Sequence, residues 1–136
     1  GKGAFKQCAA LTQIQIPDSC TSIGESAFNS CSSLTSVTFP SASGVTTIPT
    51  RAFAYCYALT QIIIPDNVTS IGEEAFYHCN KMSSITLGRN LSSIGDRAFV
   101  FCSGLHTIFN RSSLPLTKGS SDYGEVAYYA TSIVNR

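Results

Sequence analysis

Five Ala-Phe pairs recur along the chain, each phenylalanine followed three residues later by a cysteine: Ala4-Phe5 with Cys8, Ala27-Phe28 with Cys31, Ala52-Phe53 with Cys56, Ala75-Phe76 with Cys79 and Ala98-Phe99 with Cys102. The phenylalanines are spaced by 23, 25, 23 and 23 residues. A period in this range marks units that cannot bury an apolar face alone and therefore stack on their neighbours. The spacing predicts a solenoid, with a frame made of the repeated residues.

The complete unit runs from Ile23 to Pro40. Within it Leu34, Val37 and Phe39 fall at L-x-x-V-x-F, the alternation of a strand with one face buried. The same register gives Leu11, Ile14 and Ile16, then Leu59, Ile62 and Ile64, then Met82, Ile85 and Leu87, then Leu105 and Ile108, with Asn110 breaking the pattern. Stacked units place these strands side by side as a parallel sheet, about 4.8 Å per rung. Pro17, Pro40 and Pro65 cannot donate to a ladder, so the strands should stop there, with Asp18 and Asp66 satisfying local turn groups.

Cys20, Val45, Val68 and Leu91 form a second apolar column, three residues before Ile23, Ile48, Ile71 and Ile94. Gly24, Pro49, Gly72 or Gly95 comes next, followed in three units by an acid, Glu25, Glu73 or Asp96. Pro and acids are both favoured in the first turn of a helix. A short helical turn carrying each Ala-Phe pair is predicted.

The recurring I-G-x-x-A-F-x-x-C-x-x-L-T-x-I-x-I-P string, over about residues 1–110, resembles the BspA-like, or Treponema pallidum-type, leucine-rich repeats of bacterial and some protozoan surface proteins. The resemblance implies an α/β repeat solenoid: a right-handed leucine-rich-repeat stack with a concave parallel β-sheet and short helical turns on the convex side. It also implies export to the cell surface or beyond, and binding or adhesion in place of catalysis.

Residues 1–110 form five repeats of about 23 residues, the first truncated at its start because Gly1 aligns with Gly24. The chain is accordingly expected to be a fragment, with any signal and anchor outside it. Residues 111–136 leave the period, and Ala127-Tyr128, with Thr131 and Val134, aligns as a degenerate sixth unit. The segment is expected to cap the last rung, with Tyr123, Tyr128 and Tyr129 as its lid.

Charge is scarce, 12 % Asp, Glu, Lys and Arg with a net charge of +1, so the chain lacks the positive field that nucleic acid or anionic membrane surfaces require. No apolar run reaches the roughly 20 residues that cross a bilayer. No nucleic-acid partner and no membrane insertion are expected within this fragment.

The six cysteines would ordinarily point to disulfides in an exported protein. Five share one column, however, and parallel Cβ vectors about 4.8 Å apart exceed the roughly 3.8 Å that a disulfide prefers. A ladder of buried, reduced thiols is predicted, with Cys20 as a small hydrophobe in the Val/Leu column. His78 and His106 lie near Cys79 and Cys102, but one inward thiol per rung does not converge on a zinc ion and no C-x2-C pair occurs. No metal, cofactor or catalytic residue is predicted: GxSxG, HExxH and glycine-rich phosphate loops are missing, and the few acids recur at capping positions.

Binding is therefore sought where the repeat varies. On the outward strand face, Gln13, Gln15, Ser36, Thr38, Gln61 and Ser84 are uncharged, and the surface grows more apolar through Ile63, Thr86 and Phe109. Soluble strand residues with scattered exposed apolar groups account equally well for that face. Just before the cysteines, Gln7 and Ser30 give way to Tyr55, His78 and Phe101 on three successive rungs, flanked by Tyr57 and Tyr77. Such a column either holds a partner's apolar surface or sugar rings, or covers the repeat edge as a structural ladder. The hydroxyl columns Thr12, Thr35, Thr60, Ser83 and Ser22, Thr47, Ser70, Ser93 are expected to satisfy backbone groups between rungs. The two extra residues in Ser41–Gly44 read as tolerated loop variation.

Three functions fit these features: a non-catalytic protein-binding or adhesion module of a secreted or cell-surface protein, with a host or neighbouring-cell protein as partner; a carbohydrate-binding module; and a passive spacer. A glycan array beside a protein pull-down separates the first two, and silence in both favours the spacer.

Overall fold

The computed structural model describes residues 1–135, and Arg136 lies outside the described residues. The chain winds as a parallel-sheet solenoid of about five turns. Rungs 1 to 5 are numbered here by their Ala-Phe pairs. One face carries the longer strands β1 (Gln13–Gln15), β2 (Ser36–Thr38), β4 (Gln61–Ile63), β6 (Ser84–Leu87), β8 (Thr107–Asn110) and β9 (Ser132–Asn135). A second, narrower sheet holds β3 (Thr47–Ile48), β5 (Ser70–Ile71) and β7 (Ser93–Ile94). All pairing is parallel and in register, as in Ile62 opposite Ile85 and Ile85 opposite Ile108. Among the described residues no helix is long and apolar enough to cross a membrane.

The core is the set of repeated columns: Leu34, Val37, Leu59, Ile62, Ile64, Met82, Ile85, Leu87, Leu105 and Ile108 are buried, facing Val45, Val68 and Leu91. Between them runs a continuous ring stack, Phe5-Phe28-Phe53-Phe76-Phe99, with centroids 5.3, 5.2, 5.4 and 5.1 Å apart and planes within 9°. Each buried ring removes enough apolar surface to contribute about 1.5–3 kcal/mol. β1, β2 and β4 end two residues before Pro17, Pro40 and Pro65, as the missing donor requires.

The short helical turns are replaced by a different device. On rung 3 the amides of Ala52, Ala54 and Cys56 bond back three residues, to Pro49, Arg51 and Phe53. Those of Arg51, Phe53 and Tyr55 instead reach the next rung, at Glu73, Ala75 and Tyr77. Rungs 2 and 4 repeat the alternation. A helix would direct every amide along its own axis, whereas here half of them tie rung to rung. The alternation rests on two left-handed residues per rung, Arg51 (φ 55°) and Tyr55 (φ 60°) on rung 3, at the turn position that needs positive φ. Gly72 and Gly95 follow from stacking and not from a helix start: a Cβ on Gly72 would sit 2.6 Å from the Thr50 nitrogen. Their amides donate to Ile48 and Ile71, each at 2.7 Å.

The stack has one seam, between rungs 2 and 3. β1–β2 and β4–β6–β8–β9 are separate sheets, so no ladder joins β2 to β4. β3 likewise pairs only forward, with β5, and Pro49 has no amide to offer Ile23. The Ser41–Gly44 insertion lies beside this junction, where the Thr60 amide still reaches the Thr35 carbonyl but at 3.5 Å, against 2.7 and 2.8 Å for the equivalent Thr35–Thr12 and Ser83–Thr60 bonds. The turn side holds the seam shut: Ser26, Phe28 and Ser30 donate to Thr50, Ala52 and Ala54 at 3.1, 2.9 and 2.8 Å.

In the last rung, β9 pairs with β8 so that Ile108 faces Ile133 and Phe109 faces Val134. The Phe99 amide donates to the Gly124 carbonyl, the place Ala98 holds for Phe76. Gly124, and not Ala127, therefore stands at the alanine position, which corrects the sequence alignment of Ala127-Tyr128. Tyr123 packs against the core, while Tyr128 is exposed with its ring edge-on to Tyr129 at 5.1 Å. Asn110, where the strand pattern fails, is buried and saturated, donating to the Leu114 carbonyl and accepting from the Ser112 amide and hydroxyl.

Candidate functional site

The left-handed residues generate two outward columns beside the buried Ala, Phe and Cys. The first is Ser26, Arg51, Glu74, Arg97 and the second Gln7, Ser30, Tyr55, His78, Phe101, all at φ between 54° and 63°. A non-glycine residue in this region costs about 1–2 kcal/mol, and bulky aromatic residues are unusual there. Three successive rungs nevertheless place Tyr, His and Phe at this position.

These three side chains stack. Tyr55 lies over His78 at 5.3 Å and 15°, and His78 meets Phe101 at 4.6 Å and 33°. Tyr77 sets its edge against all three, at 5.5, 4.8 and 5.7 Å. Tyr57 closes on Tyr55 and His78 at 6.1 and 6.4 Å. The five aromatic candidates thus form one cluster on rungs 3 to 5, and Phe101 is 48 % exposed at its end.

The first column is an ion-pair ladder that sequence reasoning missed. Glu74, only 7 % exposed, accepts Arg51 Nε at 2.8 Å and has Arg97 Nη2 at 3.7 Å. The Glu74 carboxylate pushes the Arg51 pKa up, by hydrogen bond first and charge second. Arg97 also lies 5.7 Å from the Tyr77 ring, coupling the charged column to the aromatic one. Aligning the rungs residue by residue shows the alternation Arg51, Glu74, Arg97; grouping all acids as caps concealed it. Asp66 departs from its expected local role in the same way, since its Oδ1 accepts the Arg89 amide of the next rung at 2.9 Å.

On the strand face Ile63, Thr86 and Phe109 fall opposite one another across β4, β6 and β8, and Val134 of β9 completes the row. Val134 could not be placed there while Ala127-Tyr128 fixed the register of the last unit. Ile63 is 63 % exposed and lines a groove of about 370 Å³ with Val37, Thr38, Phe39 and Arg111, directly over the seam. Ile63 and Phe101 belong to two separate groups, one on the sheet and one on the turns.

The hydroxyl columns bridge rungs in part as expected: Thr35 and Ser83 donate to the Thr12 and Thr60 carbonyls, and Ser70 to the Thr47 hydroxyl. All six cysteines are free thiols. Cys31, Cys56, Cys79 and Cys102 each donate S–H to the phenylalanine carbonyl of the preceding rung, at 3.0, 3.3, 3.1 and 3.0 Å. Burial pushes the Cys56 thiol up to about 12 and the Cys31 and Cys79 thiols in the same direction. Such thiols are structural donors and poor nucleophiles. His78 is held in the ring stack, and His106 is exposed on rung 5.

The sequence profile described as BspA type leucine rich repeat region matches residues 1–121, in six copies. No curated protein matches the sequence. Among solved structures, the leucine-rich repeat protein of T. pallidum superposes with a TM-score of 0.82 at 26 % identity, covering 99 % of this chain and 61 % of its own. A leucine-rich repeat protein from Bacteroides ovatus gives 0.77 at 36 % identity, covering 98 % of this chain and 33 % of its own. A leucine rich cell surface protein from Faecalibacterium prausnitzii gives 0.76 at 31 % identity, covering 94 % and 31 %. The chain therefore spans less than two thirds of each of these relatives, and it belongs to the BspA-type leucine-rich repeat family.

Proposed function

We propose that this chain is a non-catalytic protein-binding module of a secreted or cell-surface protein, engaging its partner through the aromatic edge formed by Tyr55, Tyr57, Tyr77, His78 and Phe101. The row Ile63, Thr86 and Phe109 on the concave sheet face supplies a second contact. One observation carries the reading: three successive rungs hold a bulky ring at a left-handed position, where Gly or Asn would be less strained. The left-handed turn belongs to every rung, so the choice of rings there is what marks the edge, and clustered aromatic residues are enriched in interfaces. Family membership and a relative described as a cell surface protein agree with it.

The test is a pull-down with surface proteins of host or neighbouring cells, comparing the wild type with Tyr55→Ala combined with Phe101→Ala. The double variant should keep the native far-ultraviolet spectrum and lose the captured partner. Retained capture at unchanged affinity removes the aromatic edge from the binding surface.

A further inference from the structure

The column Asn29, Ala54, Tyr77, Val100 runs between the two outward columns, one residue per rung. Ala54 is its smallest member, and beside it lies a hollow of about 270 Å³ lined by Asn29, Arg51, Ala54, Tyr55, Glu74 and Tyr77. The hollow spans rungs 2 to 4, so it straddles the seam on the turn side.

Asn29 carries the first argument. It is 8 % exposed, and its Oδ1 accepts the Ser30 hydroxyl at 2.8 Å. Its Nδ2, with two N–H donors, bonds to no described residue and is open to solvent, and the side chain lines the hollow. A donor left open to the hollow can exchange its water for a ligand acceptor and keep its hydrogen bond. Arg51 contributes further donors, because only its Nε is committed to Glu74, at 2.8 Å. Glu74 offers the complementary acceptor, with Oε2 held only loosely by Arg97 at 3.7 Å.

Tyr55 and Tyr77 supply the apolar wall. Their rings meet at 80° with centroids 5.5 Å apart, forming a corner with one face and one edge. Charge narrows the ligand class: Arg51 is tied to Glu74 and also feels Glu73 and Glu25, so the site has no surplus cation for a carboxylate or sulfate. Arg51 itself opposes a cationic guest. What fits is a small neutral ring with an apolar face and hydroxyls that both donate and accept.

We infer that the hollow bounded by Asn29, Arg51, Tyr55, Glu74 and Tyr77 is a subsite for one neutral pyranose unit of a glycan. This goes beyond the protein-binding reading of the aromatic edge, although Tyr55 and Tyr77 belong to both. The sugar's C–H face lies on a tyrosine ring, its hydroxyl oxygens take the Asn29 and Arg51 donors, and a hydroxyl proton goes to Glu74.

The probes are the methyl glycosides of glucose, galactose, mannose and N-acetylglucosamine, with those of glucuronic acid and N-acetylneuraminic acid as charged counterparts. Each is titrated into the ¹⁵N-labelled protein and followed by two-dimensional NMR. At least one neutral glycoside should shift the amides around Asn29, Arg51, Tyr55 and Tyr77 saturably, with a Kd on the order of 1 mM for a single ring. Asn29→Asp keeps the size and the acceptor for Ser30 but loses the N–H donors, and Asn29→Val copies Val100 of the same column. Both should weaken binding about tenfold or more at an unchanged melting temperature.

No saturable shift with any neutral glycoside, binding confined to the charged ones, or binding that survives both variants would overturn the subsite. Both Asn29 variants leave Tyr57, His78 and Phe101 untouched, so protein capture by them tests the aromatic edge separately.

Discussion

The thiol of Cys79 donates a hydrogen bond to the carbonyl oxygen of Phe53, 3.1 Å away on the preceding rung. That oxygen already accepts the Cys56 amide of its own rung at 3.3 Å. A cysteine at this position is thus a compact apolar group with one donor aimed along the stack, which explains why the column is Cys and not Ala or Val.

Replacing Cys79 by Ala removes both the sulfur's packing and the bond. The expected loss is about 1–2 kcal/mol in denaturant unfolding, with little change in the denaturant slope. A change below a few tenths of a kcal/mol would show that the S–H contact contributes nothing.

Alkali should weaken the fold through the same column. The Cys56 thiol is raised from 9.0 to about 12 chiefly by burial, so the unfolded chain gives up this proton first. Its contribution is whole below pH 9 and is lost as pH climbs toward 12, at about 1.4 kcal/mol per pH unit within that window. Thermal unfolding between pH 8 and 10.5 should show a steeper decline for the wild type than for Cys56→Ala. Equal declines would remove Cys56 as the titrating group.

Phe101→Gly separates strain from packing. The substitution relieves the cost of φ 63°, about 1–2 kcal/mol, and forfeits ring contacts with His78 and Tyr77 worth about 0.5–1.5 kcal/mol. Stability should stay within about 1 kcal/mol of wild type while partner capture falls. A loss beyond about 2 kcal/mol would mark the aromatic column as part of the frame.

The seam makes its own prediction. The Ile64 amide bonds to Thr86, so by alternation Ile62 also faces β6, whereas Gln61 and Ile63 face β2, with which no ladder forms. The Ile63 amide should exchange with deuterium about 100-fold faster than that of Ile62. Similar protection at both positions would mean that β2 and β4 pair in solution.

The frame was legible because each frame residue has one task that its type announces: Leu59, Ile62 and Ile64 are buried, and Phe53 stacks in line. The helical turns were misread because Pro49 and Glu73 carry a helix-start signature, while the positive φ of Arg51 and Tyr55 leaves no mark when the residue is not glycine. Of the candidate sites, the aromatic cluster could be assembled from spacing alone, since Tyr55, His78 and Phe101 share an offset from cysteine. The hollow beside Ala54 could not, because it depends on which neighbouring column is small and on an Asn29 amide whose donors no other rung takes up. The seam was invisible for a similar reason: a two-residue loop insertion states its length but not the ladder it interrupts.

That insertion has a consequence for how such a chain can diverge. The groove at Ile63 and the hollow at Ala54 lie on different sides of the stack, and both open at the same junction of rungs 2 and 3. The phenylalanine and cysteine columns pass through that junction, with Phe28 and Phe53 stacked at 5.2 Å and Cys56 donating to the Phe28 carbonyl at 3.3 Å. Loop length is therefore a control on surface relief that leaves the interior out of the exchange. Lengthening a loop elsewhere would part the sheet at another rung, under different side chains, while the hollow would stay with Ala54, so a repeat array of this kind can acquire a new groove by changing where its sheet is interrupted.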